Sequence, residues 1–321
     1  MAMPLISDKP IIGFVGLGSI GAPMATRLLG FGSPLFVFDK MSEKSARFSD
    51  QAGIVTSGCE LANQADVVFS CLTTRQTCID ALLAPDGVIH GRRVKIYVHT
   101  GTNDATFLGE LDAAFGERGI GVLDAPMTGG VARAIDGTLT VMASGPSPIF
   151  RCIEPLLRLY ANKIIYLGER VGPAQQMKLI NNMMSCTNLA VACEAIVMAH
   201  KSGINLYAAL DALNSGTGRN SATATKIPQQ VFTRAFALGG TLDVALKDLS
   251  GYLKEAKDVG APTVICSVVL EIFRRAMDEE GGQADVTTIA RFFERAAGTV
   301  LPKVLNGADD LTVARQNGSP N

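Results

Sequence analysis

Lys178 and Asn182 lie four residues apart in a stretch that runs from Pro173 to Ser202 without a helix breaker. At that spacing their side chains leave one face of a helix. A lysine so placed can protonate a developing alkoxide and stabilise its charge, while the amide orients both partners. Taken alone, a solvated helix lysine is the commoner case. Far upstream, the residues Gly16-Leu17-Gly18-Ser19-Ile20-Gly21 spell G-x-G-x-x-G directly after the apolar run Ile11–Val15. The first glycine permits a tight turn, the second lets a pyrophosphate approach the backbone, and the third lets helix pack on strand. A helix beginning there turns its N–H groups and partial positive charge toward phosphates, so Ser19 and Ile20 join the three glycines as cofactor-binding candidates. Asp39 follows Gly21 by 18 residues, at the end of the next apolar run. A carboxylate there can bond both hydroxyls of a ribose and repel a 2′-phosphate, which favours NAD over NADP. Lys40 beside it softens that repulsion, and a plain turn aspartate is the alternative.

The elements that must position these groups alternate along the first half. Strands are expected at Ile11–Val15, Leu35–Asp39, Val67–Cys71, Val94–His99, Gly121–Asp124 and Thr138–Ser144, with helices at Ile20–Phe31, Ser42–Ala52 and Asp104–Arg118 between several of them. Such alternation implies right-handed crossovers and a mainly parallel sheet covered on both faces, with the stretch from Thr138 to about Tyr166 adding strands to one edge. Pro173 suits the first turn of a helix and Gly203 its stop, giving a rod roughly 45 Å long. Beyond it only helical periodicity appears, at Leu206–Asn214, Lys226–Ala237, Val244–Val259, Thr263–Met277 and Thr287–Ala297. The expected architecture is an α/β Rossmann-type doubly wound sheet over residues 1–171 and an all-α substrate or oligomerisation domain over residues 172–321. A long interdomain helix, about 173–202, joins them and places Lys178 beside the domain cleft.

Composition narrows the function classes. The chain has 321 residues, 47% hydrophobic and 18% charged, with a formal net charge of -1. That suits a packed core and gives no electrostatic support for nucleic-acid binding or anionic-membrane docking. Cysteines 59, 71, 78, 152, 186, 193 and 266 form no C-x-x-C pair, and suit buried thiols in a reducing compartment. The start, MAMPLISDKP, lacks the pattern of a signal peptide, and no apolar run is expected to be long enough to cross a bilayer, so a cytoplasmic location is expected. The polar end after Pro302 is expected to fray. The three histidines, His90, His99 and His200, show neither a His/Asp pair nor metal spacing, so no metal is expected and a zinc alcohol dehydrogenase is disfavoured.

Several further runs carry a resemblance. Gly16-Leu-Gly-Ser-Ile-Gly-Ala-Pro-Met24 resembles the G-L-G-x-M-G-x-P-M opening of the β-hydroxyacid dehydrogenases, a family that includes 3-hydroxyisobutyrate dehydrogenase and tartronate semialdehyde reductase. Asp124-Ala-Pro-Met-Thr128-Gly129-Gly130 is similar to its substrate loop, Gly137-Thr-Leu-Thr-Val-Met142 to its G-T-L-T-I-M strand, and Gly172-x5-Lys178-x3-Asn182 to its catalytic helix. Lys247-Asp248-Leu249 matches a K-D-L element. The resemblance spans roughly residues 10 to 300. It implies a nicotinamide-dependent dehydrogenase of small hydroxyacids with Lys178 as acid/base and Asn182 beside it. Thr128, Gly129 and Gly130 would hold the substrate carboxylate, in the manner of an anion nest. It also implies Leu72 and Thr73 around the adenosine ribose, Thr102 near the nicotinamide, and Lys247 over the cofactor. Relatives are dimers or tetramers, which implies a homo-oligomer here.

The match departs from the family in places. Thr128 stands where serine is usual, which keeps the hydroxyl, and His99 replaces an acidic residue, for which a structural role is expected. Gly240 stands seven before Lys247, where the family carries a phenylalanine, unless a local shift supplies Phe232 or Phe236. Together with Arg219-Asn220-Ser221, this suggests a substrate longer or more polar than 3-hydroxyisobutyrate, such as a hydroxyacid derived from a sugar acid. An imine reductase is the alternative enzyme, though such enzymes generally lack the lysine. A nucleotide-binding regulatory protein on the same scaffold is the alternative from another class, and Lys178 with Asn182 weighs against it.

Overall fold

The computed structural model describes Ser7 and residues 9–304, so residues 1–6 and 8 of the N-terminal MAMPLISDKP run and the tail from residue 305, on which the expected fraying falls, lie outside the described residues. The chain divides into two compact units, Met1–Ile180 and Asn181–Asn321.

In the first unit, strands β1 (Ile12–Val15), β2 (Leu35–Phe38), β3 (Gly53–Ile54), β4 (Val67–Ser70), β5 (Ile96–His99) and β6 (Gly121–Asp124) form one parallel sheet. The order is β3-β2-β1-β4-β5-β6. β1, β4, β5 and β6 are buried at every residue, as a parallel sheet covered on both faces requires. Alternation along each strand sends Ile12, Phe14, Val67, Phe69, Ile96 and Val98 into one apolar layer, and Val15, Val68, Tyr97 and Val122 into the other. Each such side chain contributes roughly 1.5–3 kcal/mol by leaving water. The chain turns one way from β1 to β2 and the other way to reach β4. Loops at the carboxyl ends of β1 and β4 therefore diverge and leave a crevice.

The expectation that Thr138 to Tyr166 extends this sheet is corrected. β7 (Met127–Thr128), β8 (Leu139–Ala143) and β9 (Ala161–Tyr166) form a separate three-stranded sheet, β7 antiparallel to β8 and β8 parallel to β9. An isolated bridge between Asp124 and Ser144, just past β8, links it to β6. Pro126 has no N–H to donate, and its carbonyl accepts from Met142 N. The chain thus leaves the first ladder at Pro126 and starts a second one.

In the second unit, the helices Leu206–Ser215, Leu242–Asp258, Val264–Glu280 and Ile289–Ala296 enclose a core that includes Leu210, Phe232, Leu249 and Phe273. The expected helix Lys226–Ala237 is also corrected: the helical turns cover Ala222–Val231 with wide π-type bonding, and Phe232 N donates to Ile227 O five residues back. Pro228 inside the segment lacks a donor. Positive φ at Arg234 and Phe236 stops the helix there.

Helix Pro173–Lys201 runs through both sequence ranges. By length and composition alone it would cross a bilayer, which corrects the expectation that no such run exists. Its apolar residues Leu189, Cys193, Ile196 and Val197 build the helical core instead.

Candidate active site

The candidates of the first unit fall at one edge of the parallel sheet. Gly16 to Gly21 follow β1, Asp39 and Lys40 follow β2, Leu72 and Thr73 follow β4, and Thr102 follows β5. Each leaves the carboxyl end of its strand, where ligands of open α/β sheets bind. The glycine turn fits a dinucleotide. Gly16 has φ +90 and a Cβ there would lie 2.5 Å from the Cys71 carbonyl, while a Cβ on Gly21 would lie 2.0 Å from the Gly16 carbonyl. Neither position admits a side chain. Gly18, by contrast, faces open space, so a phosphate can come up to the backbone before the helix Gly21–Leu28.

Asp39 braces this turn. Its Oδ2 accepts from Leu17 N at 2.7 Å and its Oδ1 from Met41 N at 2.9 Å. Lys44 Nζ stands 3.9 Å from Oδ1, and Lys40 is exposed. Thr128, on β7, precedes two glycines of positive φ, +137 at Gly129 and +77 at Gly130. Both glycines are exposed, and successive residues of this kind present backbone N–H groups in a concave cluster.

Lys178 lies in the second turn of the long helix and is 9% exposed. The N-terminal end of that helix is fastened by a buried cluster that sequence reasoning missed. Gln175 and Asp124 are both fully buried. Gln175 Nε2 donates to Asp124 Oδ1 at 2.7 Å and to Gly101 O at 3.1 Å, and Gln175 Oε1 accepts from Asn103 N at 2.8 Å. Asp124 Oδ2 accepts from Gln175 N at 3.1 Å, and Ser144 Oγ accepts from Ala174 N at 3.0 Å. Two first-turn amides that helix geometry leaves unpaired thus find side-chain acceptors. Burial pushes the Asp124 carboxyl up to about 7, against the opposing pull of the Gln175 donors. The chain continues through Asn103 Nδ2 to His99 Nε2 at 3.2 Å, and from His99 Nδ1 to Tyr97 Oη at 2.8 Å and on to Ser70 Oγ at 2.6 Å. His99 is fully buried inside this network.

In the second unit, Asn182 Nδ2 donates to Asp248 Oδ2 at 2.6 Å. Asp248 is buried, and Lys247 Nζ lies 3.1 Å from its Oδ1. The K-D-L element therefore supplies the acceptor that fixes Asn182, a part assigned to neither residue by spacing. The two phenylalanines near Gly240 are committed elsewhere: Phe232 is fully buried edge-on to Tyr207, and Phe236 lies between the guanidinium groups of Arg234 and Arg291 at 4.8 and 4.6 Å. Arg219 is exposed, and Asn220 is engaged in its own turn, accepting from Ala222 N and Thr223 N. Among the described residues no cluster of three or more metal-ligating side chains forms.

Comparison with known proteins bears on the fold and the family. Residues 11–168 match the NAD binding domain of 6-phosphogluconate dehydrogenase, and residues 172–293 match the family described as NAD-binding of NADP-dependent 3-hydroxyisobutyrate dehydrogenase. The 2-(hydroxymethyl)glutarate dehydrogenase of Eubacterium barkeri is 27% identical over 289 residues, covering 89% of this chain and 96% of that one. A crystal structure of 3-hydroxyisobutyrate dehydrogenase from Salmonella typhimurium superposes with a TM-score of 0.78 at 26% identity, covering 88% of this chain and 99% of that one. Psf3 in complex with NADP+ and 2-OPP gives the same TM-score and identity, covering 89% and 99%. Imine reductases share the fold alone, as the 16% identical enzyme from Myxococcus stipitatus shows with a TM-score of 0.60. A Rossmann-type nicotinamide-nucleotide unit, a long helix and an all-α unit, with 88–89% of the chain covered by these enzymes, place it in the β-hydroxyacid dehydrogenase family, as a nicotinamide-nucleotide-dependent dehydrogenase of small hydroxyacids.

Proposed function

We propose that Lys178 is the general acid/base of this dehydrogenase and that Asn182 orients the substrate hydroxyl. The observation that carries this reading is the pairing of a nearly buried lysine with an amide on one helical stripe. Within the first unit the helix start is fastened by Asp124 and Gln175, and within the second the amide is fixed by Asp248. The bound nicotinamide supplies the hydride acceptor or donor. Lys178 takes the hydroxyl proton as the alcohol is oxidised and returns it in the reverse direction. Thr128 Oγ1 and the backbone of Gly129 and Gly130 hold the substrate carboxylate, so the reacting carbon is fixed by its neighbour's charge. Gly16, Gly18, Ser19, Ile20 and Gly21 take the pyrophosphate, Asp39 and Lys40 meet the adenosine ribose with Leu72 and Thr73 around it, and Thr102 and Lys247 flank the nicotinamide end.

The cofactor is NAD in preference to NADP. Asp39 is a fixed carboxylate at the end of β2, and a 2′-phosphate would meet its charge; Lys40 and Lys44 temper this without cancelling it. The substrate is longer or more polar than 3-hydroxyisobutyrate, because Gly240 leaves a wall missing that neither Phe232 nor Phe236 is free to replace. Purified protein assayed with each cofactor against 2- and 3-hydroxyacids tests the reading. Turnover with NAD is expected, and Lys178→Ala is expected to lower kcat by about 10²–10⁴-fold while leaving NAD affinity unchanged. Preference for NADP sinks the Asp39 argument alone, and an active alanine variant sinks the lysine.

A homo-oligomer completes the proposal. Met184, Val191 and Met198 are 55%, 52% and 72% exposed on the long helix. Their seven-residue spacing is the repeat by which two copies of one helix pack against each other. The protomer is cytoplasmic and touches no membrane or nucleic acid. The seven cysteines, none of them in a disulfide, support a reducing compartment.

A further inference from the structure

We propose that Lys226 and Ser185 form a second anion subsite, which takes the distal carboxylate of a dicarboxylic hydroxyacid. This rests on the reading of Lys178 and Asn182 as the substrate face. Ser185 follows Asn182 by three residues and Lys178 by seven, so all three lie on one stripe of the long helix. At the helical rise, the backbone of Ser185 is about 10 Å along the axis from that of Lys178. Lys226 reaches the stripe from the segment Ala222–Val231, and its Nζ donates to Ser185 Oγ at 2.6 Å and to Ser185 O at 3.4 Å.

The charge on this ammonium is uncompensated. Among the described residues no carboxylate pairs with Lys226, whose hydrogen bonds go to Ser185. Cys186 and Cys193 stand near it, and burial pushes the Cys193 thiol up to about 12, which leaves that thiol neutral at ordinary pH. Burial lowers the lysine's own pKa. A cation withdrawn from water without an anion is unfavourable, and it becomes favourable when a ligand brings the missing charge. Two of its three donors meet Ser185, which leaves the third for a carboxylate oxygen. Lys226, Ser185 and Asn182 are all half-buried, so none of the three is sealed into the core. A hydroxyacid carrying a second carboxylate a few carbons along bridges the two cationic ends, with the reacting hydroxyl at Lys178 and the far charge at Lys226.

The test compares 2-(hydroxymethyl)glutarate with 3-hydroxyisobutyrate on the full chain at saturating cofactor. The readout is the ratio of the two kcat/KM values. The wild type is expected to favour the diacid, and Lys226→Met is expected to cut that ratio at least about tenfold, mainly through KM. Lys226→Arg, which keeps the charge, is expected to restore most of it. Should the methionine variant fail to fold, Lys226→Gln keeps a donor for Ser185 and removes only the charge. Glutarate alone is then expected to protect the wild type against heating and to leave Lys226→Gln unprotected; equal protection of both overturns the subsite. A wild type that oxidises 3-hydroxyisobutyrate with no diacid preference also overturns the subsite and spares the proposed function. A wild type that oxidises neither acid but turns over another hydroxyacid overturns the subsite alone, and one silent on every 2- and 3-hydroxyacid overturns both.

Discussion

Asn182 is held by the buried carboxylate of Asp248, and Asp124 by the side chain of Gln175. Gly16, Gly18 and Gly21 announce their task through spacing, because a turn that admits no Cβ constrains residue type directly. Asp248 does not, because its acceptor role depends on Asn182, 66 residues earlier. Gln175 and Asp124 are likewise 51 residues apart. The lock on Asn182 has a measurable consequence. Asp248→Ala strips Asn182 of its acceptor and leaves Lys247 without its nearby carboxylate. A buried donor left unsatisfied costs about 1–3 kcal/mol, so kcat is expected to fall roughly 10–100-fold with cofactor affinity less affected. Asp248→Asn keeps one acceptor and is expected to recover part of the loss. Steady-state kinetics with separately measured cofactor binding distinguishes these outcomes, and an unchanged kcat in the alanine variant refutes the lock.

The elements were legible in proportion to their length. Four-residue apolar strands and the 29-residue helix stand out by pattern. β3 and β7 have two residues each and are set by the sheets they join, so no local pattern marks them. The second sheet was hidden for the same reason, since one proline decides where the ladder changes. At this scale the fastening of the long helix predicts a pH dependence. The folded carboxyl of Asp124, pushed up to about 7 from an ordinary 3.8, holds a proton that the unfolded chain releases between those values. Its contribution to stability is therefore complete below about pH 4 and is lost as the pH rises to about 7. The slope is at most about 1.4 kcal/mol per pH unit from this one group. Urea midpoints measured from pH 5 to 8 are expected to decline for the wild type and to be flatter for Asp124→Asn. A slope equal in both proteins refutes the assignment.

For the whole molecule, composition spoke to class and was silent on assembly. The stripe of Met184, Val191 and Met198 became visible only when exposure was added to the seven-residue repeat. Light scattering is expected to give at least a dimer for the wild type and a monomer for Val191→Glu combined with Met198→Glu; a monomeric wild type removes the pairing. Within one chain, the long helix carries an asymmetry of its own. The start of a helix is ordinarily where it frays, because its amides point at solvent. Here the amides of Ala174 and Gln175 end on buried Ser144 and Asp124. Fluctuations of this rod are accordingly damped at the lysine-bearing end, so hydrogen isotope exchange should reach those two amides only when the parallel sheet itself opens.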